Sequence, residues 1–151
     1  MDEVVELPPD RVGELFTLQR AAWVVEGQLN GSLDIPPLTQ TLAELVEELR
    51  TSRCLAVFDG HRLIGSVRGH ERDGVLQVNR LGVVPDLQGR GVGSRLLTAI
   101  EATTDAESAT LVTGARSPAN HAFYTRHGYA DRGDEEIRPG LFVTRFTKVL
   151  R

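Results

Sequence analysis

The residues best suited to chemistry lie in one short stretch, Gln88–Ser94. Glycines occupy positions 89, 91 and 93, and residues without a Cβ let backbone N–H groups converge on a ligand. A β-branched strand precedes the stretch and a helical repeat of apolar residues follows it, so the positive end of a helix adjoins these donors. Arg90 and Arg95 add positive charge nearby. The stretch therefore predicts a site for an anion such as a pyrophosphate.

Two other glycine-rich phosphate motifs do not fit this stretch. A Walker loop ends in Gly-Lys-Ser or Gly-Lys-Thr, and neither tripeptide occurs in the chain. The dinucleotide fingerprint requires Gly or Ala at the position of Ser94, and it belongs in an early β-α-β unit. The remaining alternative is a turn that only joins strand to helix, but so many glycines in so short a loop favour binding.

A second segment places polar side chains at helical spacing. Ser117-Pro118 is typical of an N-cap followed by the first residue of a helix. Asn120 and Tyr124 are four residues apart and therefore share one face of that helix. Phe123 is interpreted as a core aromatic. Tyr124 is predicted to have a functional role, since a buried tyrosine hydroxyl needs a partner.

These segments belong to a predicted alternation of strands and helices with no repeat or linker. The pattern indicates a short strand at 4–7, two helices, a three-strand meander, and then helix, strand, helix and two strands. The predicted fold class is mixed α/β, with a central, mostly antiparallel twisted sheet flanked by helices on both faces. The predicted ranges from the meander onward are 54–58, 63–68, 75–84, 91–104 (helix), 109–113, 118–127 (helix), 129–135 and 141–149.

Several local features of this fold are also predicted. Asp10 is expected to cap the first helix, and Thr41-Leu-Ala-Glu44 is a capping box that opens the second. Residues 29–38 are expected to form a long loop that acts as a lid. The inward-facing residues predicted for the second helix are Leu42, Leu45, Val46 and Leu49.

The composition excludes several classes of protein. A length of 151 residues fits one domain, 1–151. The net charge of −4 with scattered arginines lacks the basic face that nucleic-acid binding requires. No apolar run reaches the roughly 18 residues needed to cross a bilayer, and the acidic start Met1-Asp2-Glu3 is unlike a signal peptide, so we expect a cytoplasmic protein. Cys54 is the only cysteine, which rules out an internal disulfide and a multi-cysteine metal site.

Both segments resemble those of a known family. Gln88-x-x-Gly91-x-Gly93, preceded by Leu81-x-Val83-x-Pro85, is similar to the acyl-CoA-binding signature of the GNAT superfamily, the general-control-related N-acetyltransferases. Asn120-x-x-x-Tyr124-x-x-x-Gly128-Tyr129 resembles the family segment that faces the pantetheine and thiol. The order of elements is similar over essentially the whole chain. The resemblance implies acetyl-CoA as co-substrate, no metal, and a cofactor site formed by Leu81, Val83, Gln88, Gly89, Arg90, Gly91, Val92, Gly93, Ser94 and Asn120.

The resemblance also implies a mechanism. A substrate amine attacks the thioester carbonyl while both substrates are bound, without an acyl-enzyme. The backbone N–H of Val83 or Val84 is the candidate donor to the oxyanion. Tyr124 is the candidate proton donor to the departing thiolate.

The general base is where the sequence departs from the simplest family pattern. Some relatives carry a glutamate on the fourth strand, but residues 75–84 contain no carboxylate. Gln77 and Asn79 lie there and can only order a water. Glu26, near the end of the first helix, is the candidate catalytic carboxylate, and a solvated surface glutamate is the alternative. Further options are His70 and His121.

The acceptor is expected to lie against Trp23–Leu38 and Arg138–Phe142, and its identity stays open among a small amine, an amino acid, an antibiotic and a protein N-terminus. The alternative function is a non-catalytic acyl-CoA-binding or sensing module, which would bind the cofactor without turnover. A purely structural protein would bind no CoA. A homodimer is a further hypothesis, with the terminal strand Leu141–Val149 pairing at a sheet edge.

Overall fold

One sheet of seven strands organises the chain. The computed structural model describes residues 3–151, so Met1 and Asp2 of the acidic start lie outside the described residues. The strands are β1 (Val5–Glu6), β2 (Arg53–Asp59), β3 (Arg62–Arg72), β4 (Val75–Val83), β5 (Ser108–Gly114), β6 (Ala130–Arg138) and β7 (Leu141–Val149). The helices are α1 (Val12–Leu29), α2 (Pro36–Thr39), α3 (Leu42–Leu49), α4 (Val92–Ala102) and α5 (Pro118–Arg126), with short 3-10 turns at Pro9–Arg11 and Pro85–Leu87.

The strand order is β1-β2-β3-β4-β5-β7-β6. Every neighbouring pair is antiparallel except β4 and β5, which are parallel. The predicted mixed α/β class and mostly antiparallel sheet are therefore confirmed. The prediction that the terminal strand lies at an edge is wrong, because β7 lies between β5 and β6 and has both of its edges paired.

Helices cover both faces of the sheet, as predicted. On one face, which we call the back face, an ideal Cβ on Gly65 or Gly69 would lie within 3 Å of side-chain atoms of α4. On the other, the front face, an ideal Cβ on Gly82 would lie 2.5 Å from Trp23 of α1. Because successive residues of a strand point to opposite faces, these contacts place α1 and α4 on opposite sides of the sheet.

The predicted hairpin turn and the two predicted helix caps can be compared with the structure. Asp73 and Gly74 both have positive φ, of 53° and 77°, as a two-residue hairpin turn between β3 and β4 requires. The capping box of α3 is present, with Glu44 N–H donating to Thr41 Oγ1 at 3.1 Å. Asp10 does not cap α1; it lies in a 3-10 turn, and the N-cap position falls on Arg11.

The inward face of α3 differs from the predicted one. Leu45 is fully buried, but Leu42 and Val46 are 45% and 41% exposed. The sheet-facing side of α3 instead carries Leu45 and Glu48, whose carboxylate meets Arg68 at 3.4 Å. No helix within residues 3–151 is long and apolar enough to cross a membrane.

Candidate active site

A cleft opens in the sheet between β4 and β5. Parallel pairing joins only Val75–Gln77 to Ser108–Thr110. Beyond that point β4 continues to Val83 without pairing to β5, whereas β5 stays paired with β7 as far as Gly114. The carboxyl ends of the two parallel strands therefore diverge. Ligands of open α/β sheets bind in such a crevice.

A bulge in β4 lies where the strands part. The register of β3 and β4 shifts between Ser66 and Arg68, and Arg80 has a φ of 54°, a conformation that is uncommon for any residue other than glycine. An extra residue on one strand bends it and increases its twist. The bulge at Arg80 is therefore the local cause of the divergence from β5.

The backbone of β4 presents polar groups to this cleft. Val84 N–H donates to Ile64 C=O at 2.9 Å, so it is occupied by β3 and the prediction of Val84 as oxyanion donor is wrong. The adjoining pair, Gly65 and Val83, is then a non-hydrogen-bonded pair, in which N–H and C=O point away from the partner strand. Val83 therefore directs its N–H group toward the cleft.

The glycine-rich loop continues directly from this strand end. Gln88 Nε2 donates to Val83 C=O at 3.2 Å. Gly89 and Gly91 have φ values of 79° and 84°, and nothing lies within 4 Å of the Cβ position of either. The first α4 bond runs from Arg95 N–H to Gly91 C=O, so the preceding N–H groups of the helix, at positions 92–94, have no acceptor within it.

The remaining loop residues differ in their surroundings. Val92 is 1% exposed, so only its N–H can face a ligand, while Arg90 is exposed. Gly93 lies against α5, because its Cβ position is 3.5 Å from Phe123 Cζ. The loop and α5, which are distant in sequence, thus adjoin.

Tyr124 lies on α5 with its side chain 8% exposed. Its ring packs against Tyr129 and Phe146, with centroid distances of 5.9 Å and 5.8 Å. Burial, followed by the negative charge of Glu26, raises the pKa of Tyr124. The hydroxyl therefore stays protonated near neutral pH and can donate a proton or hydrogen bond but not act as a base. Within residues 3–151 it has no hydrogen-bond partner.

Glu26 reaches the same helix through Ser117. Ser117 Oγ donates to Glu26 Oε2 at 2.5 Å and accepts from Asn30 Nδ2 at 3.1 Å. Ser117 is 1% exposed and occupies the predicted N-cap position before Pro118, but its side chain makes no capping hydrogen bond to α5 because its hydroxyl is engaged by α1. Sequence reasoning missed this role, since the Ser-Pro pair gave the signal of a helix start alone.

The end of α1 is held tightly against the β5–α5 connection. Asn30 Oδ1 accepts from Arg116 N–H at 2.8 Å. An ideal Cβ on Gly114 would lie 2.2 Å from Asn30 Nδ2, so only glycine permits this approach. Asn120 Nδ2 donates to Thr113 Oγ1 at 3.1 Å, which directs Asn120 toward β5. Glu26 of α1 is thus brought next to the start of α5, the helix that carries Asn120 and Tyr124.

The two segments predicted to hold the acceptor also meet. Arg138 donates to Ser32 Oγ at 2.7 Å and to Asp34 Oδ2 at 3.2 Å, which ties the α1–α2 loop to the β6–β7 turn. The loop predicted for residues 29–38 is shorter than expected, because Pro36–Thr39 forms α2. Of the optional bases, His121 Nε2 lies 3.0 Å from Gly114 C=O, and His70 pairs with Gln77 on the front face.

Neither a surface groove nor a metal site offers a stronger candidate for the active site than this cleft. A surface groove of about 630 Å³ beside the first half of α1 is lined by Glu14, Arg62 and Val84 among others, and it touches none of the loop glycines. In the described part of the chain, no group of three or more His, Cys, Asp or Glu side chains is placed to hold a metal ion. The chemistry of the backbone groups, rather than groove size, identifies the candidate site.

Comparisons with known proteins agree with this geometry. Residues 50–131 match the family described as "Acetyltransferase (GNAT) domain". A Bacillus subtilis (strain 168) protein, "Uncharacterized N-acetyltransferase YjcF", is 25% identical over 138 residues, covering 91% of each chain. The PaiA N-acetyltransferase of Thermoplasma acidophilum, solved with coenzyme A, aligns over 99% of each chain with a TM-score of 0.78 and 17% identity. The smu.2055 protein of Streptococcus mutans UA159 aligns over 99% of this chain and 100% of its own, with a TM-score of 0.85 and 9% identity. At such identities the two structures show likeness of fold.

Proposed function

Since the chain belongs to the GNAT acetyltransferase family and is an N-acetyltransferase, we propose that it transfers the acetyl group of acetyl-CoA directly to a primary amine within a ternary complex. The observation that carries this proposal is the β4–β5 cleft, into which Val83 directs a free N–H beside the glycine-rich loop. The match to the family covers the loop and α5 but not Glu26. The proposed role of Glu26 therefore rests on geometry.

The loop fits the diphosphate of acetyl-CoA. The exposed backbone of Gly89 and Gly91 leaves room for a bulky anion, and the N–H groups at the start of α4 supply donors on the positive end of the helix. Leu81 and Val83 offer the pantetheine arm a strand edge with which to pair. Acetyl-CoA supplies an activated thioester, and these residues bind and orient it. Asn120, at the α5 end of the cleft, is proposed to border the same arm.

Val83 and Tyr124 act on opposite sides of the reacting carbonyl. Val83 N–H donates to the carbonyl oxygen, on which negative charge develops as the amine nitrogen bonds to carbon. The carbon–sulfur bond then breaks, and sulfur leaves with its electron pair. Tyr124 donates a hydrogen bond to the departing sulfur. Because its raised pKa exceeds that of a thiol, Tyr124 stabilises the thiolate without becoming an anion itself.

Glu26 is proposed to take the proton that the attacking amine must lose. Its Oε2 already accepts from Ser117 Oγ, which fixes the orientation of the carboxylate, and Oε1 remains to accept a proton directly or through a water. Trp23, one turn earlier on α1, lies over Gly82 at the strand end. The front face between α1 and the cleft is therefore the proposed side of entry for the acceptor.

Replacing Glu26 with Gln is expected to change the pH dependence of kcat and to lower kcat near neutrality by about 10²-fold. The amide keeps an acceptor for Ser117 but cannot take a proton. Rates measured from pH 5 to 10 at saturating substrates check this. Glu47→Gln on exposed α3 is the matched control, and an unchanged profile for Glu26→Gln would remove Glu26 from the mechanism.

Initial-rate kinetics test the proposed function itself. Release of free CoA thiol is followed while acetyl-CoA and a primary amine, drawn from a panel of monoamines, diamines and amino acids, are varied together. A ternary complex predicts intersecting double-reciprocal lines, whereas an acyl-enzyme predicts parallel lines and an acetylated protein. Acetyl-CoA binding without turnover on any amine would favour the sensing module instead.

A further inference from the structure

A group of arginines, one buried (Arg68) and two half-buried (Arg20 and Arg80), lies on the front face, beneath α1 and α3. Arg68 of β3 is 1% exposed and contacts Gln19 Oε1 at 3.2 Å and Glu48 Oε1 at 3.4 Å. Gln40 joins the group by donating to Glu48 Oε2 at 2.5 Å. We call this set the guanidinium cluster; its members are Gln19, Arg20, Gln40, Glu48, Arg68 and Arg80.

The cluster holds more positive than negative charge. Glu48 is its one carboxylate, and although burial acts to raise the pKa of Glu48, the hydrogen bond from Gln40 and the charges of Arg68 and Arg80 lower it. Burial and then the charge of Arg68 lower the pKa of Arg80 to about 10, which still leaves Arg80 charged at neutral pH. One carboxylate therefore faces three guanidinium groups, including that of Arg20, which reaches the cluster through Gln40 C=O at 3.2 Å.

Several of the buried N–H donors in the cluster have no acceptor. Arg68 Nε and Nη1, Arg80 Nε and Arg20 Nη1 are buried and find no hydrogen-bond partner among residues 3–151. The side chain of Arg80 makes no ion pair with any described residue. Unsatisfied buried charge is costly, and Arg80 is also held at a positive φ. Buried donors left without a partner in the chain mark a place where a partner from outside the chain, a ligand or a water, can bind.

An anion suits unpartnered guanidinium donors, and the position of the cluster connects it with the acceptor. Arg80 is the bulge residue three positions beyond the last β4–β5 pair, so the cluster borders the cleft from the front face. Gln19 and Glu26 lie on the same side of α1, seven residues or about 10 Å apart along its axis. An acceptor amine next to Glu26 can therefore place an anionic group near Arg68 and Arg80.

We propose that the guanidinium cluster binds an anionic group on the acceptor, so that the acceptor is a primary amine carrying a carboxylate several bonds away. This inference rests on the proposed function, because it assigns the acceptor of the same cleft. A separation of about 10 Å corresponds to roughly three residues of extended chain. Guanidinium groups bind carboxylates and phosphates alike. The experiment below therefore compares a carboxylate with a phosphate as the anionic group of the acceptor.

The test compares acceptors that differ only in the remote group. At saturating acetyl-CoA, kcat/KM for ε-aminohexanoate is expected to exceed that for the neutral ε-aminohexanamide by about 10- to 100-fold. Aminohexyl phosphate forms the second arm, and a larger preference for it would identify a phosphate as the anion. Equal rates for the amide and both anions would overturn the proposal.

Variants of Arg80 test whether this residue is the source of the preference for anionic acceptors over the neutral amide. Arg80→Gln is expected to lower kcat/KM for ε-aminohexanoate much more than kcat/KM for ε-aminohexanamide, which removes the preference, and Arg80→Lys is expected to retain part of it. Arg132→Gln, on the edge strand β6, is the control of equal charge change and should keep the preference. A wild-type preference that survives in Arg80→Gln, or an equal loss with the neutral amide, would show that Arg80 is merely structural.

Binding provides a readout that does not depend on turnover. Trp23 is the only tryptophan and lies over Gly82, two residues from Arg80. Its fluorescence is expected to change on titration of ε-aminohexanoate into the CoA complex of the wild type and not of Arg80→Gln. If no amine is acetylated, the proposed function fails, but this titration still decides the inference: no response to ε-aminohexanoate or aminohexyl phosphate would overturn it.

Discussion

Replacing Tyr124 with Phe is expected to lower kcat by about 10²- to 10³-fold while leaving acetyl-CoA affinity unchanged. The hydroxyl is lost from the position proposed to face the departing sulfur, but the ring keeps its contacts with Tyr129 and Phe146. Because the hydroxyl has no hydrogen-bond partner within residues 3–151, the substitution removes no native bond. The free energy of unfolding should therefore change by less than about 1 kcal/mol.

Tyr129→Phe is the matched control for this experiment. Tyr129 is also buried, and its hydroxyl donates to Glu101 Oε2 at 2.7 Å. Its loss should cost about 1 kcal/mol of stability with little change in kcat, the reverse of the effects of Tyr124→Phe. Steady-state rates and denaturant unfolding measure both variants. An unchanged kcat in Tyr124→Phe would remove Tyr124 from the chemistry and leave it as a core aromatic.

Replacing Gly91 with Glu is expected to raise the Kd for acetyl-CoA by at least about 100-fold. A non-glycine residue at the φ of 84° costs roughly 1–3 kcal/mol, and its carboxylate repels the diphosphate at the start of α4. In the wild type, ligand at about 100 times Kd stabilises the fold by about 2.7 kcal/mol. This corresponds to a rise in Tm of roughly 5–10 °C, which the variant should lose.

Gly74→Glu separates loss of binding from backbone strain. Gly74 has a φ of 77° with nothing within 4 Å of its Cβ position, and it lies in the β3–β4 turn, at the other end of β4 from the loop. This variant should lose stability without losing the shift induced by acetyl-CoA. A Tm shift retained in Gly91→Glu, or no shift in the wild type with any acyl-CoA, would contradict the assignment of the loop.

The parts of the fold that depend on local sequence could be predicted. The strand that ends at Pro85, the glycine loop and the start of α4 are contiguous in the sequence. Their anion-binding site could therefore be predicted without knowledge of the tertiary structure. The same holds for the Asp73-Gly74 turn and the capping box of α3. Asp10 failed as a cap because the chain makes a 3-10 turn there, a difference that depends on packing beyond the helix start.

Long-range features of the site could not be predicted in this way. Ser117 and Glu26 are 91 residues apart, and no local pattern connects a helix-start serine with a glutamate in another helix. Val83 and Val84 were equivalent in the sequence, and only the register with β3 shows which N–H is occupied. Arg80 carries no sequence signal at all, because a left-handed backbone at an arginine within a strand follows from tertiary constraints.

The position of β7 also determines how the molecule can be made. Residues of β6 are synthesised before those of β7, yet β6 pairs with β7 alone in the sheet. β6 therefore has no strand to pair with until residues 141–149 have been made. An exposed strand edge is a template for misassociation, and charged side chains protect such an edge. The acidic and basic residues along β6, which are exposed in the finished fold, provide this protection.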